Sequence, residues 1–485
     1  MSSSHRHKRR SAAQPVESEL VDLGSRLECG RSLAWFAVQQ FEEHGKFVRD
    51  VINDADAPGR FTRAQRGQAV DMASGAIRRR RSIDTVLESQ VTRPRKNVEP
   101  DLWRLLQLGT WQVLYSKTPP HAAVDSIVNL AKSAGCGRWS GFTNGVLRNV
   151  QRLLVDEPVD DPRCRLPGIR NQIALATPVL PDPAEDRVDY IGRAYSLPRA
   201  LARRWCARYA DEQLIPVCLQ SLSTPAVTGI RVNLLRTTLD EVKTQLESAG
   251  ALVQPGPVNE CLLVSVSGSI DRLPGFSDGL WAVQDPSACQ AGVLLNPQPG
   301  EIILDLCAAP GGKATHLAEL AGDSGRVIAC DVADWRLQRV RENVERLKLT
   351  SVEPCLISRS GDGVPELPYD AVMVDVPCSN SGVLARRPEA RWRFSESDLR
   401  ELTELQMELL LRSIDYVRPG GRILYSTCSI EPEETTELVA AAVDHVFGLT
   451  LKEQFLQLPT DQSDGAFRAL LEWNATTVSV DRSLK

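Results

Sequence analysis

The sequence lacks several features by which common protein classes are recognised. Its twelve cysteines include no Cys-x-x-Cys pair, which argues against a zinc finger and against a thioredoxin-type redox site. The basic N-terminal segment is not followed by an apolar core, and no apolar run is long enough to cross a bilayer. We therefore expect a cytoplasmic protein with reduced thiols, without a metal and without a membrane partner.

The chain also lacks a strong net charge. Its 57 Lys and Arg residues against 62 Asp and Glu residues give a formal net charge of −5, so the composition carries no general signature of nucleic-acid binding. A local basic groove is enough to bind RNA or DNA, and that function stays open. With 485 residues, 42% of them hydrophobic, the chain is long enough for about two to four domains.

The first part of the chain is predicted to contain a tail, a helical domain and a linker. Residues 1–28 are polar and of mixed charge, which is typical of a disordered tail. Residues 29–153 show helical spacing of apolar residues, as in "RSLAWFAVQQFEEHG", with short polar joints, which predicts an all-α bundle. Residues 154–190 hold many prolines and acids without a clear period, which indicates a linker.

Strands appear in the remainder of the chain. Residues 191–275 alternate helical and strand-like segments, including "TGIRVNLL", and are predicted to form a small α+β domain. Residues 276–485 alternate amphipathic helices with the apolar runs "EIILDLC", "GRVIACD", "VEPCLIS", "YDAVMVDVP" and "GRILYSTC". This pattern predicts an α/β domain whose parallel sheet is covered on both faces and binds ligands at the carboxyl ends of its strands.

The first of these strands leads into a glycine turn, "LDLCAAPGGKATHL". The turn exposes backbone N–H groups to a ligand, although it is neither a Walker loop nor a G-x-G-x-x-G motif. Asp331 ends the second strand, where an acid can accept both ribose hydroxyls. Asp362 follows the third strand, where a carboxylate could meet an adenine edge, and Asp375 ends the fourth strand. One acid at a strand end is more often a helix cap, but a series predicts an adenosine cofactor. The predicted ligands are Cys307, Ala308, Ala309, Pro310, Gly311, Gly312, Lys313, Asp331, Asp362 and Asp375.

Two cysteines also end strands. Cys378 follows the fourth strand in "VDVPCSNSGV", and Cys428 follows the fifth in "LYSTCSIEPEE". In a doubly wound sheet these strands are neighbours or nearly so, and we expect both thiols to open on the cofactor crevice. A lone buried cysteine usually acts as a small hydrophobic residue, but that interpretation does not suit two thiols at one crevice.

At these residues the sequence resembles the RNA cytosine-5 methyltransferases of the Sun/RsmB type, in the RsmB/NOP family. The resemblance rests on "LDLCAAPGGKATHL", "VIACD", "VDVPCSNSGVLARRPEARW" and "YSTCSIEPEE". The segments "LWRLLQLGTWQVLY" and "PPHAAVDSIVNLAKSAG" resemble the RNA-binding domain of NusB. The resemblance implies three domains: a NusB-like bundle, a small α+β middle domain and a Rossmann-like methyltransferase domain with a seven-stranded sheet.

The resemblance also implies an activity, in which the methyl group of S-adenosylmethionine is transferred to carbon 5 of a specific cytosine in 16S ribosomal RNA. In that activity Cys428 is the nucleophile that adds to carbon 6 of the base. Cys378 assists product release, Asp375 hydrogen-bonds the ring, and Lys313 assists there or holds the cofactor carboxylate. The expected partner is ribosomal RNA of the small subunit, bound by a monomer.

The reactive base must be unstacked, and basic residues beside Cys378 are candidates to hold the RNA. The segment "LARRPEARWRF" supplies side chains suited to phosphate contact and stacking, namely Arg386, Arg387, Arg391 and Trp392. A second basic patch is "IRRRRS" at 77–82. For both segments a solvated surface without a ligand is the alternative interpretation.

Two other functions stay open from the sequence. A non-catalytic RNA-binding factor could retain the helical domain, although the intact cysteine pair and glycine turn argue against it. A methyltransferase could instead act on transfer RNA, another RNA or a protein. A zinc-dependent cytosine deaminase is excluded, because the His-x-Glu and Pro-Cys-x-x-Cys motifs are missing.

Overall fold

Two units make up the chain, Met1–Glu185 and Asp186–Lys485. The computed structural model describes residues 27–56, 59–169, 171–266 and 268–474. Most of the predicted tail, 1–28, lies outside these described residues. Within them, no helix combines the length and the apolar character that crossing a membrane requires.

Helices build the first unit, as the spacing of its apolar residues predicts. Leu33, Phe36 and Val38 are buried on the first helix, and Gly45, in the left-handed conformation, follows its last residue. The helices in the described part of this unit are α1 (Gly30–His44), α2 (Val48–Ala55), α3 (Arg63–Arg78), α4 (Arg80–Gln90), α5 (Pro100–Tyr115), α6 (Pro120–Ser133) and α7 (Ser140–Leu153). The all-α bundle is therefore confirmed.

The segment 154–190, predicted to be a linker, carries regular structure. Its strands β1 (Leu154–Val155), β2 (Arg165–Pro167) and β3 (Gln172–Leu175) form a small antiparallel sheet in the order β1-β3-β2. The buried guanidinium of Arg79 donates hydrogen bonds to the carbonyl oxygens of Pro167 and Gly168. Such short strands have no readable period, and contacts with the helical bundle hold them.

A four-stranded sheet lies in the first part of the second unit. The strands β4 (Thr228–Val232), β5 (Leu252–Pro255), β6 (Cys261–Ser265) and β7 (Trp281–Val283) pair antiparallel in the order β5-β6-β4-β7. The helices of this region are α8 (Arg187–Ala194), α9 (Arg199–Arg208), α10 (Asp211–Leu222) and α11 (Leu239–Ser248). The strand β7 lies beyond the predicted boundary at 275, because Trp281 is fully buried in the core of this sheet.

The last predicted domain, 276–485, contains the largest sheet. Its described strands are β8 (Ile302–Asp305), β9 (Arg326–Asp331), β10 (Val352–Leu356), β11 (Tyr369–Asp375), β12 (Val417–Thr427), β13 (Leu449–Gln457) and β14 (Ala466–Trp473). Their order is β10-β9-β8-β11-β12-β14-β13, and β14 runs in the direction opposite to the other six strands. The helices that accompany them are α12 (Pro286–Leu295), α13 (Gly312–Leu320), α14 (Asp334–Leu347), α15 (Ala390–Arg393), α16 (Glu396–Tyr416) and α17 (Thr436–His445).

Apolar side chains cover both faces of this sheet. Along β11, Val372 and Val374 face one core, and Ala371 and Met373 face the other. Alternate residues of a strand point to opposite faces, so two covered faces explain the nearly continuous apolar runs in the sequence. The chain order reverses between β8 and β11, which opens a crevice at their carboxyl ends.

Arg231 on β4 is fully buried and connects the four-stranded sheet to α13, the helix that follows the glycine turn. Its guanidinium forms two hydrogen bonds of 2.8 Å with Glu319 at the end of α13. It also donates to the carbonyl oxygen of Gly312 at the start of that helix, at 2.8 Å. Both ends of α13 are therefore fixed by one side chain.

Replacing Arg231 with methionine should destabilise the second unit strongly. The Arg231→Met variant leaves the carboxylate of Glu319 buried without a counter-charge, which costs about 3 kcal/mol or more. Chemical denaturation of the full chain measures this loss, and the exposed Arg272, changed to methionine, serves as the control. Equal midpoints for the two variants would contradict the role given to Arg231.

Candidate active site

The two predicted thiols meet at the carboxyl ends of β11 and β12. These strands pair in parallel, with Asp375 opposite Ser426. Cys378 and Cys428 therefore leave the sheet at the same edge, and their Sγ atoms lie 3.0 Å apart. A glycine, Gly382, permits this approach, since a Cβ atom there would lie 2.7 Å from the carbonyl oxygen of Cys428.

Contact between the two thiols couples their ionisation. The hydrogen bond with Cys428 lowers the pKa of Cys378, although burial and the carboxylate of Glu434 oppose this effect. The same bond raises the pKa of Cys428 well above its usual range, and burial and Asp375 add to the increase. The pair therefore loses its first proton at a lower pH than a free cysteine does, and its second proton at a higher pH.

A buried carboxylate holds the loops that carry the two cysteines. Glu434 is fully buried, and its Oε1 atom accepts hydrogen bonds from the backbone N–H of Ser379 at 2.8 Å and from Gln406 at 2.9 Å. Its Oε2 atom accepts from the hydroxyls of Ser379 and Ser429. Ser379 follows Cys378 and Ser429 follows Cys428, so one carboxylate fixes both positions.

An ion pair lies beside the thiols. The Nζ atom of Lys313 donates to Oδ2 of Asp375 at 2.7 Å, and the Ser426 hydroxyl donates to Oδ1 at 2.7 Å. Burial by itself would lower the pKa of Lys313, but Asp375 raises it overall. The lysine therefore carries its charge and can donate to a ligand in the crevice.

The glycine turn after β8 forms the floor of the crevice. Gly311 has a φ of 99°, and a Cβ atom there would lie 3.2 Å from the backbone of Val340. The turn closes through a hydrogen bond of 2.7 Å from the N–H of Gly311 to the carbonyl oxygen of Ala308. The helix α13 then begins at Gly312, and its first N–H groups have no acceptor within the helix. These groups suit an anionic ligand such as a carboxylate.

The acid that ends β9, Asp331, is 2% exposed. Its Oδ1 atom accepts from the N–H of Ala333 at 3.1 Å, and its Oδ2 atom lies 3.2 Å from a guanidinium nitrogen of Arg336. The carboxylate is thus held in one orientation at the strand end. Asp331 ends its strand, as expected, and its role at a ribose stays a prediction.

A further acid, Asp305, was not among the predicted ligands. It ends β8 and is fully buried, and its Oδ2 atom has no hydrogen-bond partner within the described residues. Burial and the nearby Asp375 raise its pKa to about 7. A buried oxygen without a donor fits the ammonium group of an amino-acid-like ligand. The sequence held the signal, since Asp305 ends the first strand as the other acids end theirs.

Within the described residues, Asp362, the acid after β10, makes no contact with the other site residues. It is exposed, and its Oδ2 atom accepts hydrogen bonds from the hydroxyls of Ser358 and Ser360. These bonds lower its pKa. Its carboxylate therefore stabilises its own turn, and a role at an adenine edge stays a prediction.

The structure corrects the prediction for Arg391. This residue is fully buried, and its guanidinium donates to the backbone carbonyl oxygens of Ser196, Ser221 and Leu384. The charge pattern of "LARRPEARWRF" gave no indication of this burial, because the groups that cover Arg391 come from distant parts of the chain. Arg391 has a structural position and is not available to an RNA phosphate.

The other three predicted RNA-binding residues differ in their surroundings. Arg386 pairs with Asp464 at 2.9 Å and with Asp285 at 3.3 Å, so its charge is already balanced. Arg387 is exposed and donates to Oδ1 of Asn380 at 3.0 Å. Trp392 is half-buried. Among them, Arg387 is the cation that both reaches solvent and adjoins the thiol pair.

Comparisons with known proteins identify relatives of this chain. Residues 292–466 match the family described as 16S rRNA methyltransferase RsmB/F, and residues 30–152 match the NusB family. A probable ribosomal RNA small subunit methyltransferase B of Synechocystis is 33% identical over 409 residues, covering 83% of this chain and 86% of that protein. The ribosomal RNA small subunit methyltransferase B of Proteus mirabilis is 30% identical over 449 residues, covering 91% and 98%.

Solved structures show the same architecture. The structure of PH0851 has a TM-score of 0.71 at 23% identity and covers 93% of this chain and 98% of that chain. A methyltransferase homologue from Pyrococcus horikoshii has a TM-score of 0.54 at 26% identity, covering 59% and 99%. The fold and the glycine turn thus define a methyltransferase. The chain belongs to the ribosomal RNA small subunit methyltransferase B family, whose activity implies the use of S-adenosylmethionine.

Replacing Asp331 with alanine should weaken cofactor binding without unfolding the domain. The Asp331→Ala variant loses the carboxylate expected to accept the ribose hydroxyls, which should cost at least about tenfold in affinity, or roughly 1.4 kcal/mol. Titration calorimetry with S-adenosylmethionine measures the effect. The exposed Asp334, three positions along, provides the control when changed to alanine, and unchanged affinity in Asp331→Ala would refute the assignment.

Replacing Arg391 with methionine should lower stability, whereas Arg387→Met should not. Arg391→Met leaves three buried carbonyl oxygens without their donor, and each lost bond to a charged group is worth about 1.5–3 kcal/mol. Thermal unfolding of both variants makes the comparison. If Arg391→Met kept full stability and lost only RNA affinity, the structural role would be wrong.

Proposed function

We propose that this protein transfers a methyl group from S-adenosylmethionine to carbon 5 of a specific cytosine in 16S ribosomal RNA. The reaction passes through a covalent bond between Cys428 and carbon 6 of that cytosine. The observation that carries the proposal is the contact of two thiols, 3.0 Å apart, beside the Lys313–Asp375 ion pair. A structural protein has no need of two adjoining thiols at a cofactor crevice.

The chemistry explains the need for a thiol. Carbon 5 of cytosine is a poor nucleophile until a nucleophile has added to carbon 6, which gives carbon 5 enamine character. The thiolate of Cys428 is the adding group, since only the ionised form of a cysteine attacks. The cofactor supplies an electrophilic methyl group. Removal of the carbon 5 proton then lets the sulfur of Cys428 leave, with the help of Cys378.

The ion pair orients the base in this proposal. The carboxylate of Asp375 is held by Lys313 and Ser426 and hydrogen-bonds the polar edge of the cytosine. The ammonium group of Lys313 stabilises the electron density that the attack pushes into the ring. Both groups lie at the carboxyl ends of strands, where ligands of doubly wound sheets bind.

The cofactor assignment rests on groups that fit its parts. The N–H groups at the start of α13, from Gly312 onward, suit the carboxylate of the methionine moiety. The unpartnered oxygen of Asp305 suits its ammonium group. The carboxylate of Asp331 suits the two ribose hydroxyls. Asp362 stays a weaker candidate for the adenine, because its own turn already uses its carboxylate.

The substrate assignment rests on family membership and on the helical unit. The relatives at 30–33% identity bear the name ribosomal RNA small subunit methyltransferase B. Residues 30–152 match the NusB family, a domain suited to holding RNA while a base enters the crevice. Another RNA, such as a transfer RNA, is the alternative substrate, and sequencing of bisulfite-treated RNA from a deletion strain distinguishes them.

The roles of the two cysteines are tested by trapping the adduct. Cys428→Ala removes the attacking sulfur, so neither a covalent RNA adduct nor methyl transfer should be detected. Cys378→Ala should still permit attack but slow release, and a protein–RNA complex that survives denaturation should accumulate. Denaturing gels after incubation with 16S ribosomal RNA and cofactor measure both outcomes.

The double variant is the control for this experiment, since it should form no adduct. If Cys428→Ala accumulates the adduct and Cys378→Ala does not, the two roles are exchanged. If the wild-type protein transfers no methyl group to any RNA, a non-catalytic RNA-binding factor becomes the better description.

A further inference from the structure

The surroundings of the two sulfur atoms indicate which of them holds the proton. The Sγ atom of Cys428 lies 3.4 Å from Oδ1 of Asn380. The amide of Asn380 is oriented by two other bonds, since its Nδ2 atom donates to the carbonyl oxygen of Cys378 at 2.8 Å and its Oδ1 atom accepts from Arg387 at 3.0 Å. A carbonyl-type oxygen has no proton to give. The sulfur of Cys428 therefore faces two acceptors, this oxygen and the sulfur of Cys378, and its single S–H group donates to one of them at a time. Cys428 is accordingly the member of the pair that keeps a proton.

The sulfur of Cys378 has the opposite surroundings. Besides the contact with Cys428, hydrogen bonds from the Thr427 hydroxyl and the Asn380 backbone N–H lower the pKa of Cys378. The oxygen of the Thr427 hydroxyl accepts from the N–H of Ser429 at 3.1 Å. This bond does not use the hydroxyl hydrogen, which can therefore be donated to the sulfur. Donors around one sulfur and an acceptor beside the other favour a thiolate at Cys378 and a thiol at Cys428.

Charged groups around the pair act in both directions. Glu434 raises the pKa of Cys378, and this effect is smaller than those of the Cys428 hydrogen bond and of burial but larger than those of the bonds from Thr427 and Asn380. Near Cys428, Asp375 raises the pKa and Arg387 lowers it. Lys313 offsets the charge of Asp375 through their ion pair. The hydrogen bond between the two sulfurs is the largest of these effects, and it leaves the pKa of Cys378 lowered overall and that of Cys428 raised.

In this arrangement Cys428, the nucleophile of the proposed reaction, is protonated before the attack. We propose that Cys378 is a proton shuttle: its thiolate takes the proton of Cys428 during the attack and returns it when Cys428 leaves. The Sγ–Sγ distance of 3.0 Å is a hydrogen-bond contact, and Glu434 keeps both loops in place. The inference rests on the proposed function, because it takes Cys428 as the attacking residue.

The attack balances as follows. The S–H bond of Cys428 breaks, and its proton forms an S–H bond with Cys378. The electron pair left on Cys428 forms the bond to carbon 6 of the cytosine, and the ring electrons move towards carbon 5. The total charge of the cysteine pair and the base is unchanged, because the negative charge of Cys378 has passed into the ring.

The release reverses the proton transfer. A water molecule removes the proton from the methylated carbon 5, and the double bond between carbons 5 and 6 re-forms. The bond from carbon 6 to sulfur breaks, and the electron pair returns to Cys428. The proton held by Cys378 moves to that sulfur, which restores the thiolate at Cys378. Without Cys378 the leaving sulfur has no proton donor, and the adduct persists.

Alkylation of the free protein locates the charge without any catalysis. Iodoacetamide reacts with thiolates, and mass spectrometry of the resulting peptides follows Cys378 and Cys428 separately across pH 5–10. Cys378 should be alkylated with a lower midpoint pH than Cys428. A lower midpoint for Cys428 would overturn the proposal. Comparing midpoints rather than rates removes the effect of unequal access to the two sulfurs.

Thr427 provides a matched pair of variants. Thr427→Val keeps the shape of the side chain and removes the hydroxyl donor, so the midpoint of Cys378 should rise. Thr427→Ser keeps the hydroxyl and should retain the wild-type midpoint. If valine and serine gave the same midpoint for Cys378, the hydroxyl would not stabilise the thiolate, and the assignment of the charge would fail.

The shuttle itself is tested by the pH dependence of adduct formation. RNA that contains 5-fluorocytidine holds the adduct, because the fluorine at carbon 5 cannot leave as a proton. In Cys378→Ala the proton of Cys428 must pass to water, so the midpoint of adduct formation should rise by at least about one pH unit. At pH values below both midpoints, adduct formation by Cys378→Ala should therefore be about tenfold slower than by the wild type. Thr427→Val should lie between Cys378→Ala and the wild type.

Failure of the shuttle and failure of the proposed function are distinguishable. If Cys378→Ala forms the adduct with the wild-type pH midpoint, the shuttle is overturned and the role of Cys428 stands. If the wild type forms its adduct through Cys378, or forms none, the proposed function is overturned and the shuttle falls with it.

Discussion

Backbone hydrogen bonds between β11 and β12 pair Asp375 with Ser426, and the chemistry of the site depends on that register. Cys378 and Cys428 leave the sheet three and two residues later, so their sulfurs meet. A shift of one residue would turn every side chain of one strand to the other face. Because both faces of this sheet are buried, the packing of the core fixes the register and with it the distance between the thiols.

Several ionisable groups are buried around this edge, and each has a partner or a shifted pKa. Lys313 pairs with Asp375, Glu434 accepts four hydrogen bonds, and the pKa of Asp305 rises to about 7. Buried charges without such compensation are too costly to keep. A cluster of this kind at a crevice is typical of a catalytic site. The hydrogen bond between the two thiols likewise shifts their pKa values in opposite directions.

Much of this fold could be predicted from local sequence patterns. The elements that were not predicted share one cause, which is that they depend on contacts with distant residues. The five apolar runs became parallel strands, because a strand covered on both faces is apolar throughout. The strand β7 and the small sheet within 154–190 were missed, since short strands hold their place through contacts with distant residues. Arg391 was misread for the same reason. A charged residue in a polar segment looks exposed until the groups that cover it, such as Ser221, are known.

The sequence by itself determined the class of protein, because its glycine turn, acids and cysteines stand in motifs that resemble those of a known family. It also determined which residues are candidates, apart from Asp305. The tertiary structure alone decided which candidates meet: the sulfurs at 3.0 Å, Lys313 on Asp375, and Asp362 on its own turn. It also decided that Asn380 faces Cys428 while Thr427 supports Cys378. Hydrogen bonds act over about 3 Å, and no pattern along the chain reports distances of that size between residues fifty positions apart.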